Sequence, residues 1–170
     1  MQPLTADFLA FLKSDKMKTI CDEEGVIFLT DGQKRANEGE TAIPVGSFTA
    51  QSALPAGDKI VISGSTSMEK LINAAIKEYA NLYGKAIADI FATIKLEGSS
   101  VGRKAAIADT NGNVIGLSSA KVVNAQVDSF NVCLDGVAVI VNKKNDIVTD
   151  LTLAQLYDIY TGKVTKFSQL

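Results

Sequence analysis

Lys59-Ile60-Val61-Ile62-Ser63-Gly64-Ser65-Thr66-Ser67-Met68 is the stretch on which the fold turns. It begins with a short, β-branched apolar run, which predicts a buried strand over residues 59–63. Beyond the Gly-Ser-Thr-Ser segment the apolar spacing becomes helical. Leu71, Ile72, Ala75, Ile76, Tyr79, Leu82 and Tyr83 recur on one face, and Gly84 closes the run, so a helix is expected over residues 68–83. A strand thus hands over to a helix through a turn made of glycine and hydroxyl residues.

The alternation continues downstream. Residues 90–96 alternate as a strand, and residues 101–108 read as a short helix. Asn111-Gly112-Asn113 is a turn signal before a strand over 114–117. A further buried strand is expected over 137–142. A helix over 153–160 follows, with Thr152 and Gln155 placed as a capping box and Gly162 beyond its end. Strands alternating with helices indicate an α/β domain with a largely parallel sheet.

Upstream the pattern changes. Residues 5–24 read as helical: Phe8, Leu9, Phe11 and Leu12 form a stripe that Met17, Ile20 and Cys21 continue, and Gly25 sits at a C-terminal cap position. Residues 26–29 are a weak strand candidate. Residues 31–58 are rich in Gly, Pro, Ser, Thr and Ala and read as a connection, unusually long for the inside of a compact domain. The expected organisation is a first helical segment (1–30), a connection (31–58), a core (59–142) and a last segment (143–170).

Three turns share one chemistry. Gly64-Ser65-Thr66-Ser67 and Gly98-Ser99-Ser100 each follow a strand and open a helix, and Gly116-Leu117-Ser118-Ser119 ends a third strand. Glycine lets a backbone come close, and hydroxyls rotate to donate. At a helix N-terminus the first N–H groups lack intrahelical partners and the macrodipole is positive. In an open α/β sheet such turns lie together at the carboxyl ends of the strands, where ligands bind. Together they predict a neutral, donor-rich pocket for a small oxyanion. Any one of these turns serves equally well as a helix cap, since Ser and Thr are preferred N-caps, and Thr66 with Glu69 fits a capping box. Three such turns at equivalent positions of one sheet point beyond capping to a ligand.

Composition narrows the classes. The 170 residues carry 17 Lys and Arg against 19 Asp and Glu, a net charge of −2, which gives no footprint for nucleic acid. Histidine is absent, which removes the commonest general base and metal ligand. No G-x-S-x-G elbow, phosphate-loop signature or GxGxxG motif occurs. A serine paired with Lys70, Lys104 or Lys121 is the remaining nucleophilic arrangement, and the chain is read as a binding protein and not as an enzyme. No cofactor is implied. Cys21 and Cys133 stand far apart in sequence, outside any zinc or disulfide framework, and read as two buried thiols. No apolar run is long enough to span a bilayer, and Met1-Gln2-Pro3 leads into an amphipathic pattern with no export signal in view.

The stretch 59–68 resembles the opening strand and ligand loop of the phosphate-binding proteins of ABC transporters. Glu97-Gly-Ser-Ser-Val-Gly102 is similar to their second loop and Ile115-Gly-Leu-Ser-Ser119 to their third. Asp135-Gly-Val-Ala-Val-Ile-Val-Asn142 resembles the strand crossing the first hinge. Residues 151–163, with Phe167, resemble the first helix of the second lobe, ending Gly-Lys-Val-Thr-Lys-Phe where the family has Gly-Lys-Ile-Thr-x-Trp. Residues 7–14 and 25–29 resemble the family's carboxyl-terminal helices and final strand, here placed first. The segment order therefore looks permuted, as a slice across two tandem copies or a deliberate permutation would produce. Both pieces would belong to lobe one.

This resemblance implies an α/β, three-layer lobe of the periplasmic-binding-protein kind, with a central, mainly parallel sheet of about five strands. It implies capture of inorganic phosphate or a similar oxyanion by Gly64, Ser65, Thr66, Ser67, Gly98, Ser99, Ser100, Ser118 and Ser119. Thr66, Ser67 and Ser99 would donate. Ser119 stands where some members have an aspartate, and Ala120-Lys121 follows where members with Ser-Ser often have arginine. The family's second lobe adds an arginine and a Ser-Gly-Thr loop, which lie beyond the position of Leu170, so this chain alone is expected to hold phosphate weakly. Arg103 is expected on a solvated helix face. The implied partners are the transporter's membrane subunits. The implied location is the periplasm or outer membrane face, with a lipid anchor in the full-length protein. A homodimer of the isolated lobe is a further expectation. Sulfate, molybdate or tungstate binding, and a sensor or interaction module on the same fold, are the alternatives.

Overall fold

The computed structural model describes residues 1–28, 45–120, 122, 124, 126–134, 140–145 and 147–170. It divides into two units, Met1–Asp135 and Gly136–Leu170.

The first unit opens with helices α1 (Pro3–Leu12) and α2 (Asp15–Glu24). The single helical stripe expected here is broken at Lys13-Ser14. Ser14 is the reason: its hydroxyl donates to the Phe11 carbonyl (2.7 Å) and accepts from the Lys16 N–H (3.3 Å), so it ends one helix and caps the next. Gly25, at φ +75°, terminates α2 in the left-handed region. Strand β1 (Ile27–Phe28) follows. Of the connection, residues 31–44 lie outside the described residues. Residues 45–58 form neither helix nor strand and touch the core through Phe48 and Leu54.

Strand β2 (Ile60–Gly64) leads through a 3-10 turn (Thr66–Met68) into α3 (Glu69–Leu82). A short helical turn, α4 (Ile87–Ile90), precedes β3 (Phe91–Lys95). Helix α5 (Ser99–Ala108) starts two residues earlier than its apolar pattern indicates, and β4 (Val114–Leu117) follows. The turn before β4 is held by Asp109, whose carboxylate accepts from the N–H groups of Asn111 (2.9 Å), Gly112 (3.0 Å) and Val114 (3.0 Å). Burial alone would raise the Asp109 carboxyl pKa. The N–H groups of Val114, Asn111, Gly112 and Asn113 together outweigh it and hold the value below the usual carboxylate range.

The sheet is parallel with order β3-β2-β4. From β2 the chain moves one way through α3 to β3, then back the other way through α5 to β4. Right-handed crossovers therefore put α3 and α5 on opposite faces, which makes three layers. The alternation of β4 agrees: Ile115 and Leu117 are buried in the core, while Gly116 faces Gly102 and Ala106 of α5. The five described strands are divided. Three form this sheet, and β1 pairs antiparallel with β5 (Cys133–Leu134) in a separate ladder. β1 and β5 pair only with each other, so among the described residues the parallel sheet has three strands where about five are expected. Of the strand expected over 137–142, residues 137–139 lie outside the described residues, and 140–142 are not strand.

The core lies between the sheet and helices α1, α2 and α3. Phe8 packs edge-on against Tyr79 (4.9 Å between ring centroids) and Phe91 (5.1 Å), and Phe11 against Phe48 (5.4 Å). The hydroxyls of Tyr79 and Tyr83 both donate to Asp7 Oδ2 at 2.7 Å, joining α3 to α1. The first helical segment is thus an integral part of the same core as the sheet.

In the second unit, α6 (Leu153–Tyr160) has the capping box its sequence predicts. Thr152 Oγ1 accepts from the Gln155 N–H (3.2 Å), and Gln155 Oε1 accepts from the Thr152 N–H (2.9 Å). Leu153, Tyr157 and Tyr160 of this helix are exposed.

Candidate functional site

Parallel pairing of β2 with β3 and β4 brings three carboxyl ends, and so three turns, to one edge of the sheet. Main-chain bonds tie the turns to one another. The Gly98 N–H donates to the Gly64 carbonyl (2.8 Å), and the Ser65 N–H donates to the Leu117 carbonyl (3.0 Å). A side-chain link completes the triangle: Ser99 Oγ lies 3.1 Å from Ser119 Oγ and accepts from the Ser119 N–H at 3.1 Å.

Two glycines set how close the elements come. A Cβ on Gly64 would collide with the Leu117 backbone, and Gly64 has φ +145°, a conformation that side chains rarely adopt. A Cβ on Gly102 would lie 2.6 Å from both Gly64 Cα and the Ser63 carbonyl oxygen. Helix α5 therefore rests directly on the ends of β2 and β4, with its N-terminus at the turns.

The predicted residues fall into two groups. Gly64, Ser65, Gly98, Ser99, Ser118 and Ser119 are joined in the way just described or lie beside those links. Ser65 is buried, and Ser99 and Ser118 are half-buried. Thr66, Ser67 and Ser100 are exposed at the openings of the 3-10 turn and α5, and make no side-chain hydrogen bond among the described residues. The Thr66–Glu69 capping box does not form. A 3-10 turn over Thr66–Met68 shifts the start of α3 to Glu69, so Glu69 is not at the third helical position that a box requires. Neither Ser65 at the 3-10 turn nor Gly98 at α5 makes a side-chain cap bond. The first N–H groups at both starts are therefore open to an external acceptor.

Arg103 corrects an expectation. It is half-buried, not on a solvated face, and its Nη1 donates to Ser118 Oγ at 3.3 Å. Ser118 Oγ in turn donates to the Ala120 carbonyl (2.8 Å). The spacing held a signal for this: Arg103 is four residues after Ser99 on α5 and so shares its face. The result is a cluster of hydroxyls and main-chain donors with one guanidinium beside it and no carboxylate among its members. Such a set can accept a compact anion. Lys121 lies outside the described residues. Among the described residues no group of three or more His, Cys, Asp or Glu is placed to hold a metal, and no helix is long and apolar enough to cross a membrane. An open groove between α2 and α3, lined by Lys16, Glu23, Lys77 and Glu78, contains none of the predicted residues.

A family model described as PBP superfamily domain matches residues 49–170. The chain is 31% identical over 170 residues to phosphate-binding protein PstS 2 of Streptococcus agalactiae serotype V, covering 98% of this chain and 50% of that protein. It is 27% identical over 173 residues to PstS 2 of Streptococcus pneumoniae serotype 4, covering 100% of this chain and 52% of that protein. The chain thus spans about half the length of the curated relatives it matches. The crystal structure of a phosphate ABC transporter's phosphate-binding protein from Streptococcus pneumoniae TIGR4 superposes with a TM-score of 0.68. That match covers 99% of this chain and 58% of the other at 21% identity, and shows a shared fold.

Proposed function

The chain belongs to the PBP superfamily, and from that premise we propose that it is a phosphate-holding lobe of an extracytoplasmic solute-binding protein serving an ABC transporter. The observation that carries the reading is the linked triangle of turns at the carboxyl ends of β2, β3 and β4. It gathers open N–H groups and hydroxyls at one place with a positive guanidinium alongside. A tetrahedral oxyanion uses such donors fully. The names of the relatives favour phosphate among the oxyanions.

In this reading Thr66, Ser67, Ser99 and Ser100 bond the anion by hydroxyl or main chain, and Ser119 completes the ring. Gly64 and Gly98 let the backbone approach, while Ser65 and Ser118 hold the turns in place. Arg103 adds charge through Ser118. Residues 1–30 complete the lobe built on residues 59–142, and residues 143–170 begin a second lobe that closes on the anion in the whole protein. Transport, and docking on membrane subunits, would belong to that whole protein.

The test is an amide-resolved NMR titration of the chain with phosphate, sulfate and molybdate at millimolar concentrations, which reads weak binding directly. Saturable shifts with phosphate at Thr66, Ser67, Ser99, Ser100 and Ser119, reduced by Ser99→Ala, are expected. Shifts scattered over the surface, or none at these turns, would overturn the assignment. A stronger response to sulfate or molybdate would keep the site and change its ligand.

A further inference from the structure

The two cysteines of the chain meet in the fold. Cys21 lies in the last turns of α2, wholly buried. The Val26 N–H donates to its carbonyl at 3.0 Å, and the reversal at Gly25 carries the chain into β1. There Phe28 pairs directly with Cys133 of β5. This brings the Cys133 side chain onto Cys21, and the two sulfurs are in hydrogen-bond contact. The exposures differ: Cys133 is half-buried at the margin of the core that encloses Cys21. The reading of two buried thiols thus holds for Cys21 and not for Cys133, and their meeting was not legible because antiparallel pairing of two distant strands is not visible in either cysteine's neighbours.

We propose that Cys21 and Cys133 are a redox pair that closes to an intramolecular disulfide, pinning α2 to β5. The exposure difference sets the order of events. The Cys133 thiolate attacks one sulfur of an external disulfide, of the low-molecular-weight or oxidoreductase class, and expels the other half as a thiolate. Cys21 then attacks Cys133 Sγ and gives up its proton, and the second half leaves as a thiolate that is protonated to the thiol. The pair gives up two protons and two electrons, and the external disulfide becomes two thiols. The hydrogen bond to Cys133 and then burial push the Cys21 thiol well above its ordinary pKa, which leaves the first attack to Cys133. The cross-link closes a long loop that includes the whole parallel sheet, the kind of closure that stabilises most. An oxidising compartment favours the closed form. The pairing itself does not depend on the anion site.

The purified chain is treated with oxidised glutathione, quenched with N-ethylmaleimide, digested and mapped by mass spectrometry. A peptide pair linking Cys21 to Cys133 in monomeric protein is expected. Its melting temperature should rise on the order of 5–15 °C and return on reduction. In Cys21→Ser the reaction should stop at a glutathione adduct on Cys133, and in Cys133→Ser the folded chain should leave Cys21 unmodified. Two alkylated thiols, separate adducts on both cysteines, or a disulfide between two chains would each overturn the proposal.

Discussion

Gly64→Ala loads the junction of β2 and β4 at the floor of the candidate site. Two costs arise, and both can be read from the structure. At φ +145° an alanine is held in a region that side chains avoid, worth about 1–3 kcal/mol. Its Cβ also collides with the Leu117 carbonyl oxygen and lies 2.7 Å from the Leu117 nitrogen. These are main-chain atoms of a paired strand, so no side chain can swing aside, and overpacking of this sort costs about 1–3 kcal/mol. The sum centres near ~4 kcal/mol, a large share of the ~5–15 kcal/mol that holds a domain together. Gly84→Ala is the control, since Gly84 has φ +60° and nothing within 4 Å of an added Cβ. It bears only the left-handed cost, about 1–2 kcal/mol. Urea unfolding followed by far-ultraviolet circular dichroism measures both, and the difference should exceed ~1.5 kcal/mol. Equal losses for the two variants would refute the claim that the turns are set by main-chain contact.

Tyr79 and Tyr83 predict an alkaline weakness. Burial, followed by the bond to Asp7, holds both phenols above their ordinary value of 10.0, so the unfolded chain releases these protons first. Stability should be full below about pH 10 and fall above it, by about 1.4 kcal/mol at pH 11 for Tyr79, with Tyr83 acting in the same direction. Tyr79→Phe should cost about 1–2 kcal/mol at neutral pH and make the alkaline decline shallower, and an unchanged slope in the unfolding midpoint would count against this account. Asp109→Ala should cost about 1–2 kcal/mol by leaving three turn N–H groups without their acceptor. The native carboxylate adds stability above its ordinary 3.8, lost as pH falls through its lower folded value. The variant's acid unfolding curve should therefore be flatter than the parent's.

What was legible in the sequence was local. Ile60-Val-Ile announces a buried strand, and the Thr152–Gln155 box forms because both partners lie within one helical turn. The glycine–hydroxyl turns could be recognised because backbone freedom and donor chemistry are written into the residues themselves. The break at Ser14 was hidden because the apolar stripe runs on across it, and the hydroxyl's bond to Phe11 has no pattern of its own. The 3-10 turn at Thr66–Met68 mimicked a capping box for a similar reason: the right residues stand one turn away from where the helix starts. The identity of long-range partners was not legible, although the spacing of Arg103 from Ser99 on α5 marks a shared face. Arg103 finds Ser118 across a strand and a turn, and Asp7 finds two tyrosines on α3. Cys21 finds Cys133 through a strand pairing that only the fold creates.

The bonds that join the three turns are chiefly main chain to main chain, and they remain whatever side chains stand at positions 66, 67 or 100. The frame is thus carried by the main chain of Gly64, Ser65, Gly98 and Leu117, while the proposed ligand donors at 66, 67 and 100 are other residues. If the proposed site holds, a lineage could rewrite its ligand preference one hydroxyl at a time, while drawing little on the stability that keeps the frame assembled. The glycines at 64 and 102 are the exception. There the main chain itself occupies the space, and change is closed off.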